Sequence, residues 1–341
     1  MSRLAATFSL LVALLLPQGA FAWNATGHQI VGSIADQLLT VNASRQVKLL
    51  LGVGLREAGP WLDCVKSVRK QPDGTLSYSP PKEDYDKPCK AFSNDHSAMI
   101  DYVGRNWVNC VYPEVPNTSA NTGCHNTYHF DDVAVQRDRF DRNYVGTNDH
   151  DLVAAINAAI AVLLDRPAPP PFDIKSKREA LFMLAHLVGD LGQPLHVAAP
   201  YLGPDGSLVD PDVTHTIDPS TETAGGNWIK DGASDNFHSE WDDNPKDLTD
   251  TAPQALVDAA RALPPQTGAI EDWSVAWATD TIVVAKKAMA KVKYTQTGPR
   301  LWFIDFQDGH DAYFRDADQT KKDQYVKCGA RLAAILNKVW P

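Results

Sequence analysis

Three features are missing from this chain of 341 residues: a CxxC pair, an apolar stretch long enough to cross a bilayer, and a surplus of basic side chains. Without CxxC pairs, a cysteine-ligated zinc site and thioredoxin-type redox chemistry are excluded. The longest apolar run, Phe8 to Leu16, is broken by Ser9 and falls well short of the roughly 20 residues that a membrane-spanning helix needs. Lys and Arg number 32 against 42 Asp and Glu, for a formal net charge of −10. Such a chain cannot grip a polyanion through many lysine and arginine contacts, as basic nucleic-acid-binding proteins do. If it meets phosphate, the positive charge must come from elsewhere, and bound metal ions are the strongest local source. Internal repeats and low-complexity tracts are also absent, apart from the proline linker Arg166 to Pro171. A hydrophobic content of 44% with 22% charged residues argues for a globular fold and against disorder.

The first residues read as an address. Arg3 precedes the apolar run, and Ala20-Phe21-Ala22 forms a small-x-small cleavage site. Residues 1–22 are therefore expected to be a signal peptide, with Trp23 as the mature start, no membrane anchor after processing, and a secreted or periplasmic destination. Export permits disulfides. The five cysteines, Cys64, Cys89, Cys110, Cys124 and Cys328, fit two bridges and one free thiol. Cys89, Cys110 and Cys124 share one polar stretch and are expected to bridge, while Cys328 lies on a helical pattern. The spacing leaves the pairing open.

Helical periodicity dominates the chain beyond Trp23. Ile30, Ile34 and Leu38 line a first helix, and Val47, Leu50 and Leu51 a second that stops at Gly52. Leu152–Leu164 and Lys175–Leu191 read as strong helices, and further helices are expected near 235–243, 253–262, 271–290 and 318–339. The last presents Tyr325, Leu332, Ile335 and Leu336 on one face. Two stretches, Gln71 to Asn126 and Pro200 to Gly226, are rich in turn-forming residues and are expected to be long loops with room for short β-hairpins. The fold class is mainly α, with 23–341 as one domain.

Five of the ten histidines stand in contexts suited to metal ligation. His186 and Asp190 are four residues apart on an otherwise apolar helix and share a face. Gly192 and Pro194 then break the helix and let His196 turn elsewhere. His238 and Asp242 repeat the four-residue spacing. Asp63, within Trp61-Leu-Asp-Cys-Val-Lys66, and His129, within Tyr128-His-Phe-Asp-Asp132, would be ordinary residues if taken alone. Trp23 brings an α-amino group, whose pKa near 8 lets it give up a proton to a metal, and a carbonyl that closes a chelate ring. His28 lies five residues further on. Nine nitrogen and oxygen donors without a thiolate suit zinc, and three zinc ions would need about that many.

The ordered set Trp23-Asn-x-x-Gly-His28, Trp61-x-Asp63-x-x-Lys66, His129-Phe130-x-Asp132, His186-x-x-x-Asp190-x-x-Gln-Pro-Leu-His196, Gly225-Gly-Asn227 and Asn236-Phe-His238-x-x-x-Asp242 resembles the S1/P1 nuclease family, across essentially the whole chain from Trp23. The resemblance implies a single helical domain of the type shared with zinc-dependent phospholipase C. It implies three zinc ions: one on Asp63, His129, His186 and Asp190, one on His196, His238 and Asp242, and one on the Trp23 amine and carbonyl, His28 and a bridging Asp190. The implied activity is endonucleolytic hydrolysis of single-stranded DNA and RNA to 5′-phosphate products, with 3′-nucleotidase activity, by attack of a zinc-activated hydroxide on phosphorus. Asp63 and Lys66 would act in catalysis, and Phe130, Asp132 and Asn227 would contact substrate; a monomer is expected. One departure is Gly192, where many relatives carry His, and another is the long 71–126 segment, whose His96 and His125 compete with His129 as ligands. The His-Phe-x-Asp match favours His129.

Two other readings predict different features. A zinc phospholipase C would carry Glu where this chain has Asp242, and would lack Phe130 and Asp132. A non-catalytic zinc-storage protein would hold its metals with no open coordination position.

Overall fold

The computed structural model describes residues 23–80, 87–107, 123–232 and 236–341. The expected signal peptide and Cys110 lie outside them. Among the described residues, no helix is long and apolar enough to cross a membrane.

The architecture is mainly α-helical, and one helix organises it. Helix α7, Lys177–Asp190, is buried continuously from Ala180 to Asp190. Its first turn is fixed by Ser176, whose side chain accepts from the Glu179 amide. Around it pack α1 (Ala25–Asp36), α2 (Val41–Leu51), α3 (Leu55–Ala58), α4 (Trp61–Val65), α6 (Leu152–Leu163) and the long α12 (His310–Val339). Each large apolar side chain buried this way contributes about 1.5–3 kcal/mol. A His and an Asp embedded in such a helix cannot be solvated and must find partners within the protein.

The expected helices are present with small shifts at their ends. The first stops at Asp36, so Leu38 lies beyond it and only packs against the core from the side. The second is closed by Gly52 at φ 77°, where a left-handed residue ends the helix. The last begins at His310 rather than 318, and Tyr325, Leu332, Ile335 and Leu336 are wholly buried.

The 71–126 segment is more structured than a loop reading allows. It contains part of an antiparallel β1–β2 hairpin (Val68–Lys70, Leu76–Tyr78) and helix α5, His96–Arg105, which buries Met99, Tyr102 and Val103. That spacing of three and four is a helical stripe hidden among polar neighbours. A second omission is the β6–β7 hairpin, Val292–Gly298 and Leu301–Phe306. Its inward residues Val292, Tyr294, Trp302, Ile304 and Phe306 alternate with exposed ones, which is the period of a strand.

The structure supplies part of the cysteine pairing that the spacing left open. Cys64 pairs with Cys89, joining α4 to the 3₁₀ turn Pro88–Asp95 across 25 residues. Closing a loop of that size stabilises the fold by about 3 kcal/mol and anchors the helix that carries Asp63. Cys124 is also disulfide-bonded, and Cys328 is free and buried. Cys328 also accounts for Gly192: a Cβ there would lie 2.3 Å from the Cys328 Sγ. No side chain fits at 192 unless that thiol moves.

Candidate metal centre

The nine residues singled out in the sequence come from segments up to about 220 positions apart, and short elements bring most of them together. His129 ends a 3₁₀ turn, Cys124–His129, and His196 lies in α8, Pro194–Val197. The two-residue strands just beyond them, β3 (Val133–Ala134) and β4 (Ala198–Ala199), pair in parallel. The Asp131 amide also donates to the His196 carbonyl at 2.7 Å, so the two histidines approach in a set register. His238 and Asp242 lie on one face of α9, Phe237–Asp242, which opens with an Asn236–Ser239 capping box.

Around Asp190 the donors crowd closely. His28 Nε2 lies 3.3 Å from Asp190 Oδ1, His129 Nδ1 3.0 Å from Oδ2, and His186 Nε2 3.3 Å from Oδ2. The His28 and His186 rings stack at 3.6 Å. Gly189 makes room for them, because a Cβ there would come within 2.9 Å of His28 Nδ1. Asp63 Oδ1 stands 3.7 Å from His186 Nε2 and 2.8 Å from Lys66 Nζ. Trp23 is fully buried beside them: its indole donates to the Gly189 carbonyl at 2.8 Å, and the next amide, Asn24, donates to the Asp242 carbonyl at 3.0 Å.

A second set adjoins the first. His196 Nδ1 donates to the His129 carbonyl and His238 Nδ1 to the Gly225 carbonyl, both at 2.7 Å. A carbonyl oxygen only accepts, so both Nδ1 atoms carry the proton and both Nε2 atoms are bare in the neutral rings. Yet those two Nε2 atoms lie 3.1 Å apart. Two lone pairs at that distance repel unless a cation sits between them, and two nitrogens each about 2.0 Å from one zinc are spaced nearly so. Asp242 completes the set at 3.4 Å from His238 Nε2, and Gln193 orients it by donating to Oδ1 at 2.6 Å. His186 obeys the same rule, with Nδ1 donating to the Gly59 carbonyl at 2.8 Å.

Buried atoms without hydrogen-bond partners point the same way: both ring nitrogens of His28, Nε2 of His129 and Oδ1 of Asp190. Burial holds the His28, His129 and His196 rings well below the usual histidine range and lowers His238 to about 4, so they are neutral and able to ligate. Burial raises Asp242 well above the carboxylate range and Asp190 to about 6. His186 is also opposed by burial, but the Asp190 and Asp63 carboxylates outweigh it and raise its pKa. Buried carboxylates that would rather be neutral, beside four imidazoles held uncharged by burial, make a donor set suited to a cation. Among the described residues, four groups have ligand atoms close enough to share one, and three of them are buried: His28, Asp63 and His186; His129, His186 and Asp190; and His196, His238 and Asp242; the fourth, Asp231, Glu240 and His310, is partly exposed. The residues present therefore fit a zinc cluster.

Phe130 and Asp132 lie one and three residues after His129, and the Asp132 main chain is held by Gly146 and Tyr201. Asn227 lies two residues past the Gly225 that holds His238, its side chain donating to the Ala224 carbonyl. His96 stacks on Tyr78 and His125 is buried near Trp107; neither belongs to these ligand groups. What sequence reasoning missed were the supports, namely the carbonyls of Gly59, His129 and Gly225. Backbone oxygens carry no residue signature that would reveal them.

A family sequence model described as S1/P1 Nuclease matches residues 23–341. A search of curated proteins found no match.

Proposed function

This chain belongs to the S1/P1 nuclease family, and from that premise we propose that it is an exported, three-zinc endonuclease that cuts single-stranded DNA and RNA and removes phosphate from 3′-nucleotides. The family is zinc-dependent, and its members hydrolyse phosphodiester bonds in nucleic acid. The observation that carries the reading is the pair of bare imidazole nitrogens of His196 and His238, 3.1 Å apart beside a buried set of carboxylates. The Cys64–Cys89 bridge agrees with folding in an oxidising compartment, as export would provide.

Asp63, His129, His186 and Asp190 would hold one zinc, His196, His238 and Asp242 a second, and the Trp23 terminus, His28 and Asp190 the third. Bound zinc supplies the Lewis acidity that makes water a nucleophile near neutral pH and stabilises the departing oxygen. The other steps fall to the chain. Asp63 accepts a proton from the attacking water, and Lys66, 2.8 Å from it, offsets charge on the phosphoryl oxygens. Phe130 stacks on a base while Asp132 and Asn227 bond its edge and the sugar-phosphate. A paired base cannot reach such a platform, and stacking is worth about 1–3 kcal/mol per base, so single strands should be cut roughly tenfold or more faster than duplex.

Comparing single-stranded DNA, RNA, duplex DNA, a 3′-nucleotide and phosphatidylcholine tests this reading. The expected outcome is 5′-phosphate products from single strands and an untouched lipid; turnover of lipid alone would end it. The same donor set fixes a pH dependence. Protons compete with zinc for Asp190, whose free carboxyl titrates at about 6, and for His238, which titrates at about 4. Acidification from pH 6 to 4 protonates Asp190 and should weaken zinc binding by a factor that approaches about tenfold per pH unit, more steeply once His238 charges. Chelator competition measures this, and an affinity flat between pH 7 and 5 would contradict it.

A further inference from the structure

We infer that Glu222 and Arg300 form a clamp that aims the Gly225 carbonyl at His238, making both positioning residues for the metal centre. The inference rests on the reading of His238 as a ligand. Between Thr223 and Asn227 the backbone turns through three successive left-handed residues, Ala224 at φ 52°, Gly225 at 58° and Gly226 at 91°. Ala224 carries a Cβ, so its conformation is strained and persists only if something outside it holds it there. The turn cannot relax toward the site either. A Cβ at Gly225 would lie 2.9 Å from the Leu195 carbonyl and 3.4 Å from His238 Nδ1, so the backbone itself packs against the imidazole.

The restraint is Glu222. It is 2% exposed, one carboxylate oxygen accepts the Ala224 amide at 2.5 Å, and the other is paired with Arg300. Arg300 sits at the turn of the β6–β7 hairpin, itself left-handed at φ 54°, and lies over the Trp228 ring at 5.5 Å. The far end of the turn is tied to the same hairpin, where the Trp302 amide donates to the Trp228 carbonyl at 3.0 Å. At the near end, Thr223 Oγ1 donates to the Pro200 carbonyl at 2.7 Å. With these points pinned, the Gly225 carbonyl has one direction, toward His238 Nδ1 at 2.7 Å. That bond keeps the proton on Nδ1 and the lone pair on Nε2 aimed at the metal position. The hairpin thus reaches the ligand through one buried carboxylate, and the same clamp sets Asn227.

The test uses zinc-loaded mature protein with Glu222→Ala, Arg300→Met and the conservative Glu222→Gln, whose amide oxygen can still accept the Ala224 amide. Glu222→Ala and Arg300→Met should lower kcat/KM on a single-stranded oligonucleotide by about 10- to 100-fold, the usual cost of losing an outer partner of a ligand. Glu222→Gln keeps the Ala224 bond but turns a donor NH2 toward Arg300, so its kcat/KM should fall between wild type and Glu222→Ala. Independently of turnover, the proton NMR signal of the His238 Nδ1–H should broaden or vanish in the first two variants and survive in the third. An unchanged signal in Glu222→Ala would overturn the clamp. So would equal losses in all three variants tracking a common fall in Tm, which would mark the pair as merely structural. If wild type cleaved no nucleic acid at all, the nuclease reading would fall while the NMR comparison still judged the clamp.

Discussion

Asp190→Asn should abolish activity almost completely, by about three orders of magnitude or more, and should strip the protein of more than one zinc. The substitution is nearly isosteric in a site with no exposure, so packing is conserved. What disappears is the charge and one full ligand oxygen at the point where His28, His129 and His186 all approach within 3.0–3.3 Å. Metal ions contribute several kcal/mol of transition-state stabilisation, and each 1.4 kcal/mol is tenfold in rate. Stability without metal should move the other way. Burial raises the Asp190 carboxyl to about 6, which means the folded, metal-free protein disfavours its charge at neutral pH. Asparagine relieves that cost, so Tm in a chelator should hold or rise while zinc content and kcat fall. A variant that keeps full zinc and activity would remove Asp190 from the centre, and one that loses Tm in chelator would reassign it to the fold.

The second large effect concerns a single added residue. A mature chain preceded by one extra residue, for instance Met before Trp23, should lose activity by about a hundredfold and bind one zinc weakly or not at all. An α-amine deprotonates near pH 8 and then offers a lone pair, whereas a peptide nitrogen in the same place offers none. The rest of the local structure does not depend on that nitrogen. The indole still bonds to the Gly189 carbonyl and packs on Tyr325 at 4.7 Å, and Asn24 still donates to the Asp242 carbonyl. Fold and Tm in chelator should therefore match the processed protein. Equal activity of the two forms would show that the terminus is not a ligand.

The helices and the candidate ligands were legible in the sequence because both rest on short-range periodicity. A His and an Asp four residues apart share a helix face wherever the helix goes, and Lys177–Asp190 keeps its helical pattern through 14 residues that include one glycine, Gly189, after a Ser176 cap. The resemblance ordered the remaining candidates. Less accessible were elements whose signal was diluted, such as α5 inside a polar stretch and the β6–β7 hairpin beyond a strong helix. The Cys64–Cys89 pairing could not be deduced, because spacing alone does not select among cysteines.

Residue chemistry alone, then, supplied the side-chain donors, imidazoles and carboxylates without a thiolate, on an acidic chain. Tertiary structure decided that the side-chain donors converge, and how each one is turned. The direction of an imidazole lone pair depends on which carbonyl its other nitrogen meets, and for His186, His196 and His238 those carbonyls belong to Gly59, His129 and Gly225, between 13 and 127 positions away. Backbone oxygens are chemically identical along the chain, so only the fold could choose among them.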